Sequence, residues 1–486
     1  MNQKKVVSSL AIRFFERFAA KAIGLVISIL LARLLEPDVF GLLALIMVFV
    51  NLANTFVQSG FGTALVQNKT TKEDDYSTVF FVQLTIAAFF TALIFFAAPA
   101  IAQYYGKDEL MWPLRVLSFT VLFSAFNSIQ VAKLQREMRF KQMMYCNLIS
   151  TVISGTIGVI SAYRGAGLWA LVIYNSSYTV MSSMIMLFIA KWHPRLVFSL
   201  GRARVFFSFG WKILISGLLC SLYYDIRAII IGRRYSTVDL AYYNKGQQYP
   251  ELIERTIDEV IQSVMLPVMS QAQDSKEELE KILLRAVSIS AFGVVPAMFG
   301  LAAVAKTMIP MLLTEKWMAC IPFLTVFCLG SLAGPFQAPN LILIKAMGRS
   351  DIYMKVEVIR RIILVSILLL TVLVFDSPMA IAAGFSVGFW LDTSIAVLAV
   401  KKLTGVSCLK QVLQTWKSFV AGAIMFAAVY PMNLLGIHSL ARLILQIAVG
   451  VLVYFLVLLI LKNEILVMGK DMVFGFLKNK NQGTEN

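Results

Sequence analysis

A succession of apolar stretches, each about 20 residues long and separated by short polar segments, leaves this chain little choice of architecture. At 1.5 Å per residue such a stretch matches the roughly 30 Å hydrocarbon core of a bilayer. A helix pairs every backbone amide within its own segment, which the water-free core demands. The expected spans are 9–33, 39–61, 77–103, 112–132, 142–162, 167–190, 206–231, 239–268, 279–304, 318–344, 354–375, 378–400, 416–435 and 439–461. Turn residues separate many of them, as at Glu36-Pro37-Asp38, Gly165-Ala166-Gly167 and Asp376-Ser377-Pro378. Composition agrees: 59% of the residues are apolar and 15% charged, against about 25% charged in a soluble domain. The predicted fold class is all-α, a polytopic membrane protein of about fourteen transmembrane helices, with no domain of soluble size.

The net charge of +17 raises the question of nucleic acid, and the loops answer it. With the N-terminus in the cytoplasm, one side collects Lys4 and Lys5, the run Lys133, Arg136, Arg139 and Lys141, the run Lys191, Arg195, Arg202 and Arg204, and most later lysines. The other side holds only Arg33, Lys107, Arg164, Arg233, Arg234, Lys306 and Lys316. This is the positive-inside asymmetry of an inserted chain. It places both termini in the cytoplasm and removes the nucleic-acid reading. The five cysteines form no CxxC pair and read as small buried hydrophobes. His193 and His438 are too few and too distant for a metal site, and no metal or organic cofactor is expected. No A-x-A cleavage pattern follows the first stretch, so no removable signal is expected.

Weak internal similarity suggests a parallel repeat. Leu31-Ala32-Arg33 resembles Ile231-Gly232-Arg233, and the loop Lys133–Lys141 has a counterpart in Lys345–Lys355. Trp112-Pro113-Leu114 resembles the region of Trp317 and Ile321-Pro322. The expected division is a first six-span lobe at 1–200, a second at 201–405, and two further spans with a tail at 406–486. Repeats of this kind commonly hold substrate at their shared interface.

Charges inside the spans are the candidates for function. Arg13, Arg17 and Lys21 recur at i, i+4 and i+8 and share one helix face. Each costs roughly 2.5–3.5 kcal/mol at the bilayer centre, so the stripe should face water, an anion or an acidic partner. In the eighth span Glu251, Glu254, Arg255, Asp258 and Glu259 form one polar face. That face either pairs internally, through Glu251–Arg255 and Arg255–Glu259, or lines a cavity. The seventh span adds Lys212, Asp225 and Arg227. Other intramembrane charges are Arg115, Arg285, Glu357, Arg360, Arg361 and Asp392. Glu357, Arg360 and Arg361 lie a turn or so from a cytoplasmic loop and read as snorkelling anchors. Arginine suits bidentate binding of phosphate oxygens, and a desolvated carboxylate can carry a proton.

Leu31-Ala-Arg-Leu-Leu-Glu-Pro37-Asp-Val-Phe40-Gly41 resembles the L-A-R-x-L-x-P-x-x-F-G motif of the Wzx-like polysaccharide flippases, in the superfamily of the MATE exporters and MurJ-like flippases. Gly60–Gln67, Phe209-Gly210-Trp211, Tyr243, Pro250, Leu266–Gln271 and Thr314–Trp317 continue the likeness, with Thr314 where the family often has glycine. The resemblance implies two helical bundles around a cavity and export of an undecaprenyl-diphosphate-linked oligosaccharide across the bacterial inner membrane, where a polysaccharide polymerase and chain-length regulator take it up. It assigns the diphosphate to Arg13, Arg17 and Lys21, and then to Lys212, Arg227 and Arg255. It assigns sugar contacts to Asn51, Asn54 and Gln58, where MurJ-like proteins carry arginines. Coupling to H+ or Na+ falls to Asp225, Glu251, Glu254, Asp258 or Glu259. The alternative, a MATE-like antiporter of small cations, suits a basic stripe poorly. An enzyme of this pathway needs a large outer loop for its catalytic residues, and none is present; nor is there a Walker A motif.

Overall fold

The computed structural model describes residues 21–466 apart from 59, 69 and 70, with the backbone alone at 209, 212, 213, 216, 219, 220, 222 and 223. Among the described residues there is no strand. The helices are α1 (described over 21–34), α2 (Pro37–Gln58), α3 (Phe61–Gln67), α4 (Glu73–Tyr105), α5 (Met111–Ser118), α6 (Thr120–Arg136), α7 (Phe140–Tyr163), α8 (Leu168–Ala190) and α9 (Leu200–Arg234). They continue as α10 (Thr237–Gln271), α11 (Lys276–Leu313), α12 (Ile321–Ser331), α13 (Gly334–Ala346), α14 (Ser350–Val374), α15 (Pro378–Thr404), α16 (Cys408–Val429) and α17 (Ser439–Ile460).

Nine segments among the described residues are long and apolar enough to cross a membrane, and α12 with α13, bent by 43°, make a tenth. Helices α9, α10 and α14, of 35, 35 and 25 residues, are long enough but interrupted by charge. With α1, these segments are consistent with the fourteen expected spans. Large apolar side chains stand exposed on the helices, Phe96 at 77%, Phe188 at 79% and Leu373 at 78% among them. In a soluble protein such surface would aggregate; here it meets lipid tails. The protein is a multi-pass membrane protein.

The internal contacts divide the chain between Ala241 and Tyr242. In the first unit, α1 lies along α7 and α8, with Ile27, Leu31 and Leu35 packed against Ala162, Ala170 and Leu171. Phe61, Leu65, Phe80, Ile129, Trp192 and Phe206 form a second core where α3, α4, α6 and α9 converge. An ion pair braces that end: Arg202 Nε donates to Oδ1 of the buried Asp75 at 2.6 Å. Residues 31–40 and 231–240 show the same helix, two-residue break and new helix. The paired tryptophans do not match in environment, Trp112 being 56% exposed and Trp317 fully buried.

In the second unit α11 is the central helix. Its Leu279, Leu283 and Val287 share a core with Leu343, Val397 and Val400. Nearer its other end, Ala303 and Val304 receive Met425, Val429, Tyr454 and Leu458 of α16 and α17. Helix α15 starts where Ser377 Oγ accepts from the amide of Met379, with Pro378 at its first position, and stops at Gly405 in the left-handed region (φ 84°).

One expectation is corrected here. Arg360 is not a snorkelling anchor; it is 6% exposed and turned inward. Its Nε and one Nη donate to Asp392 at 2.5 and 2.6 Å, and the other Nη to Glu357 Oε1 at 2.6 Å. Ten residues into α14, about 15 Å along the helix, the guanidinium is far from water, and an inward carboxylate partner is the favourable solution. Among the cysteines Cys146, Cys320 and Cys328 are buried as expected, whereas Cys408 is exposed at the start of α16.

Candidate functional site

The first unit contains a cavity of about 580 Å³ among α2, α3, α6 and α9. Thr55, Gln58, Thr63, Ser124, Asn127, Ser128, Gln135 and Ser221 bring hydroxyls and carboxamides to its wall, beside Val131, Ala132 and Leu214. Gly60, Gly62 and Gly217 leave the wall open where side chains would intrude. Among the described residues no lining side chain is charged. Thr55 and Ser221 share a hydrogen bond of 3.1 Å between α2 and α9. Gln83 Nε2 donates to Ser128 Oγ, and Asn127 Nδ2 donates to Ser182 Oγ, both at 3.2 Å. Asn127 Oδ1 is buried with no hydrogen-bond partner among the described residues, and so is Asn54 Oδ1 on α2.

Of the residues expected to meet sugar, Gln58 lines this cavity. Asn51 is exposed one turn below Thr55, whose hydroxyl donates to the Asn51 carbonyl at 2.9 Å. Of the expected diphosphate residues, Arg13 and Arg17 lie outside the described residues, and Lys21 is half-buried at the described start of α1. Lys212 lies on α9, its side chain outside the described set. Arg227 is buried with its guanidinium 4.9 Å from the centre of the Tyr224 ring. Asp225 lies two residues away, and its Oδ2 is buried without a hydrogen-bond partner among the described residues.

The acidic face of α10 lies in the second unit. Glu251 pairs with the mostly exposed Arg255 one turn on, as the spacing anticipates. Glu254 turns inward, where Ser331 Oγ donates to its Oε2 at 2.6 Å. Its carboxylate also reaches the α12–α13 bend, and a Cβ at Gly334 would stand 3.0 Å from Oε1. Asp258 Oδ1 is buried without a hydrogen-bond partner among the described residues, and Glu259 is exposed. Glu254 and Asp258 are thus the inward pair of the face, and Glu251 and Glu259 its outer members. A further cavity of about 520 Å³ lies among α10, α11 and α16, with Lys281, Arg285, Gln414 and Glu464 at its wall. No group of three or more potential metal ligands occurs among the described residues.

Sequence reasoning followed charge and so missed most of the neutral cavity. The signal was present: Ser124, Asn127, Ser128, Val131 and Gln135 fall on one helical face, as do Leu214, Gly217 and Ser221. It also missed the polar network of the second unit, in which Gln337 Nε2 donates to Asp392 at 2.8 Å and Asn340 Nδ2 to Gln411 Oε1 at 2.8 Å.

Comparison with known proteins now bears on this arrangement. Residues 30–322 match the model of a family described as polysaccharide biosynthesis protein. The teichuronic acid biosynthesis protein TuaB of Bacillus subtilis is 27% identical over 62% of this chain and 62% of its own length, so the match spans less than two thirds of that relative. The lipopolysaccharide biosynthesis protein WzxC of Escherichia coli is 24% identical over 82% of this chain and 81% of its own. Among solved structures, the lipid II flippase MurJ in an inward closed conformation covers 94% of this chain and 100% of its own at a TM-score of 0.77 and 16% identity, a likeness of fold. A match over more than half of its residues shows that the chain, all-helical among its described residues, belongs to the polysaccharide biosynthesis protein family.

Proposed function

We propose that this protein carries a polyprenyl-diphosphate-linked oligosaccharide from the cytoplasmic to the outer leaflet of the bacterial cytoplasmic membrane by alternating access, with both of its termini cytoplasmic. The observation that carries the reading is the family match within a chain that follows a lipid II flippase over that flippase's whole length. Its relatives are named for teichuronic acid and lipopolysaccharide, both surface glycans. A polysaccharide polymerase and its chain-length regulator act on the displayed product.

The diphosphate pairs with the basic stripe Arg13, Arg17 and Lys21 and draws on Lys212 and Arg227, while the polyprenyl tail remains in lipid. A charge-assisted contact is worth about 1.5–3 kcal/mol, so losing two lowers substrate affinity by about a hundredfold or more. Arg17→Ala with Lys21→Ala is therefore expected to cut glycan export and to cause lipid-linked oligosaccharide to accumulate, at unchanged protein level. Wild-type export by this double variant would remove the diphosphate from the stripe.

Coupling to an H+ or Na+ gradient rests on Glu254 and Asp258, the inward carboxylates of α10. Neutralising a buried carboxylate changes local charge by a full unit, enough to bias two conformations. In proteoliposomes, wild-type flipping should speed up under an imposed gradient and that of Glu254→Gln should not. A gradient response retained in Glu254→Gln and in Asp258→Asn alike would place coupling elsewhere.

A further inference from the structure

We infer that the neutral cavity of the first unit binds an uncharged sugar of the lipid-linked oligosaccharide, and that it discriminates against a sugar acid at that position. The inference rests on the function proposed above and names the class of sugar the site accepts. Its volume of about 580 Å³ lies within the range of about 300–1,000 Å³ typical of small-molecule sites.

The wall chemistry selects the ligand. Carboxamides and hydroxyls both donate and accept, as do vicinal sugar hydroxyls, so Gln58, Asn127, Ser128, Gln135 and Ser221 offer complementary partners without fixing one hydrogen-bond direction. The buried Asn127 Oδ1 is an acceptor without a partner among the described residues, and a buried acceptor left unmet costs about 1–3 kcal/mol. A turn of the Asn127 side chain toward the cavity would let a ligand hydroxyl donate to it and recover that cost. A carboxylate in the same space would meet no cation among the described wall residues and would exchange its hydration only for neutral donors. Gly62 and Gly217 give the sugar its room. A Cβ added at Gly62 makes only ordinary contacts, 3.8 Å to Ala132 Cβ and 3.9 Å to Ser128 Oγ, so a larger side chain there fills the cavity rather than the helix packing.

The test measures binding to the purified full-length chain of three probes: undecaprenyl diphosphate, the same lipid bearing a neutral disaccharide, and the same lipid bearing a disaccharide with a uronic acid. The neutral disaccharide should tighten binding by about tenfold over the bare lipid, and the uronic acid probe should show no such gain. Asn127→Ala and Gly62→Leu should each bring the ratio of neutral-disaccharide to bare-lipid affinity toward one. Because the readout is a ratio within one preparation, a misfolded variant shows itself by losing both affinities, and Gly217→Leu then serves in its place. A gain that survives the variants, no gain in the wild type because the cavity holds water only, or an equal gain with the uronic acid overturns the inference while the proposed function stands. Failure of all three lipids to bind overturns that function as well.

Discussion

Replacing Asp392 with alanine is expected to destabilise the folded protein by about 3 kcal/mol, the lower end of the range of about 3–5 kcal/mol for breaking a buried ion pair. The Asp392 side chain is 1% exposed and that of Arg360 7%, and they exchange two short hydrogen bonds between α14 and α15. The network is balanced, two carboxylates (Glu357, Asp392) against two guanidiniums (Arg360, Arg361). Removing Asp392 leaves a buried guanidinium with Glu357 alone and takes from Gln337 Nε2 its closer acceptor, leaving Thr393 Oγ1 at 3.4 Å. The retained Glu357 contact is why the loss should sit at the lower end. Paired replacement of Arg360 and Asp392 by leucine and methionine should recover much of it, because apolar packing often equals a buried ion pair in worth. The midpoint of thermal unfolding in detergent checks both. An unchanged midpoint for Asp392→Ala would mean that water reaches the pair.

The second large effect is steric. Gly41→Val on α2 should lower stability by at least about 1–3 kcal/mol, the usual cost of overpacking. A Cβ at Gly41 would collide with the carbonyl group of Thr237, the first residue of α10, and backbone cannot swing aside as a flexible side chain can. The same junction is tied by Thr237 Oγ1 donating to Asp38. Displacing it would therefore sacrifice a hydrogen bond as well as packing. Gly24→Ala on α1 is the control: no atom of the described residues lies within 4 Å of its added Cβ, and the change should be neutral or slightly stabilising. Equal unfolding midpoints for Gly41→Val and the wild type would show that the two helix starts separate freely.

The helix plan was legible because hydrophobic length is a strong signal in hydrocarbon. It failed where polar residues are buried in pairs. The expected start of the thirteenth span at 416 misses the first two turns of α16, because Lys410, Gln411 and Gln414 read as loop. In the fold Gln411 is fully buried against Asn340, a partner 71 residues away that no local window sees. The bend between α12 and α13 splits the single expected span 318–344 beside Gly330 and Gly334, and the break at Gly60 (φ 69°) falls at the end of the expected span 39–61, so that α3 was not foreseen; hydropathy ignores these glycines. Arg360 and Asp392 were legible in principle. They stand 16 residues either side of Asp376 in one helical hairpin, hence at matching depth. Snorkelling was read from distance to the loop alone. The acidic face of α10 was visible from spacing, but not which carboxylates turn inward, since that depends on Ser331 and the α12–α13 bend.

These corrections change where the charges point without changing what they require. Helices α9 and α10 carry charge that free lipid would not accommodate, and the proposed cargo, a charged, sugar-bearing lipid, would meet it. The most direct measurement reconstitutes the chain into vesicles holding a labelled undecaprenyl-diphosphate-linked oligosaccharide in both leaflets. A membrane-impermeant reagent added outside then reads the accessible fraction over time. The fraction should rise beyond the outer-leaflet share in vesicles that contain the protein and stay at that share in protein-free vesicles. Identical time courses with and without the protein would contradict the account.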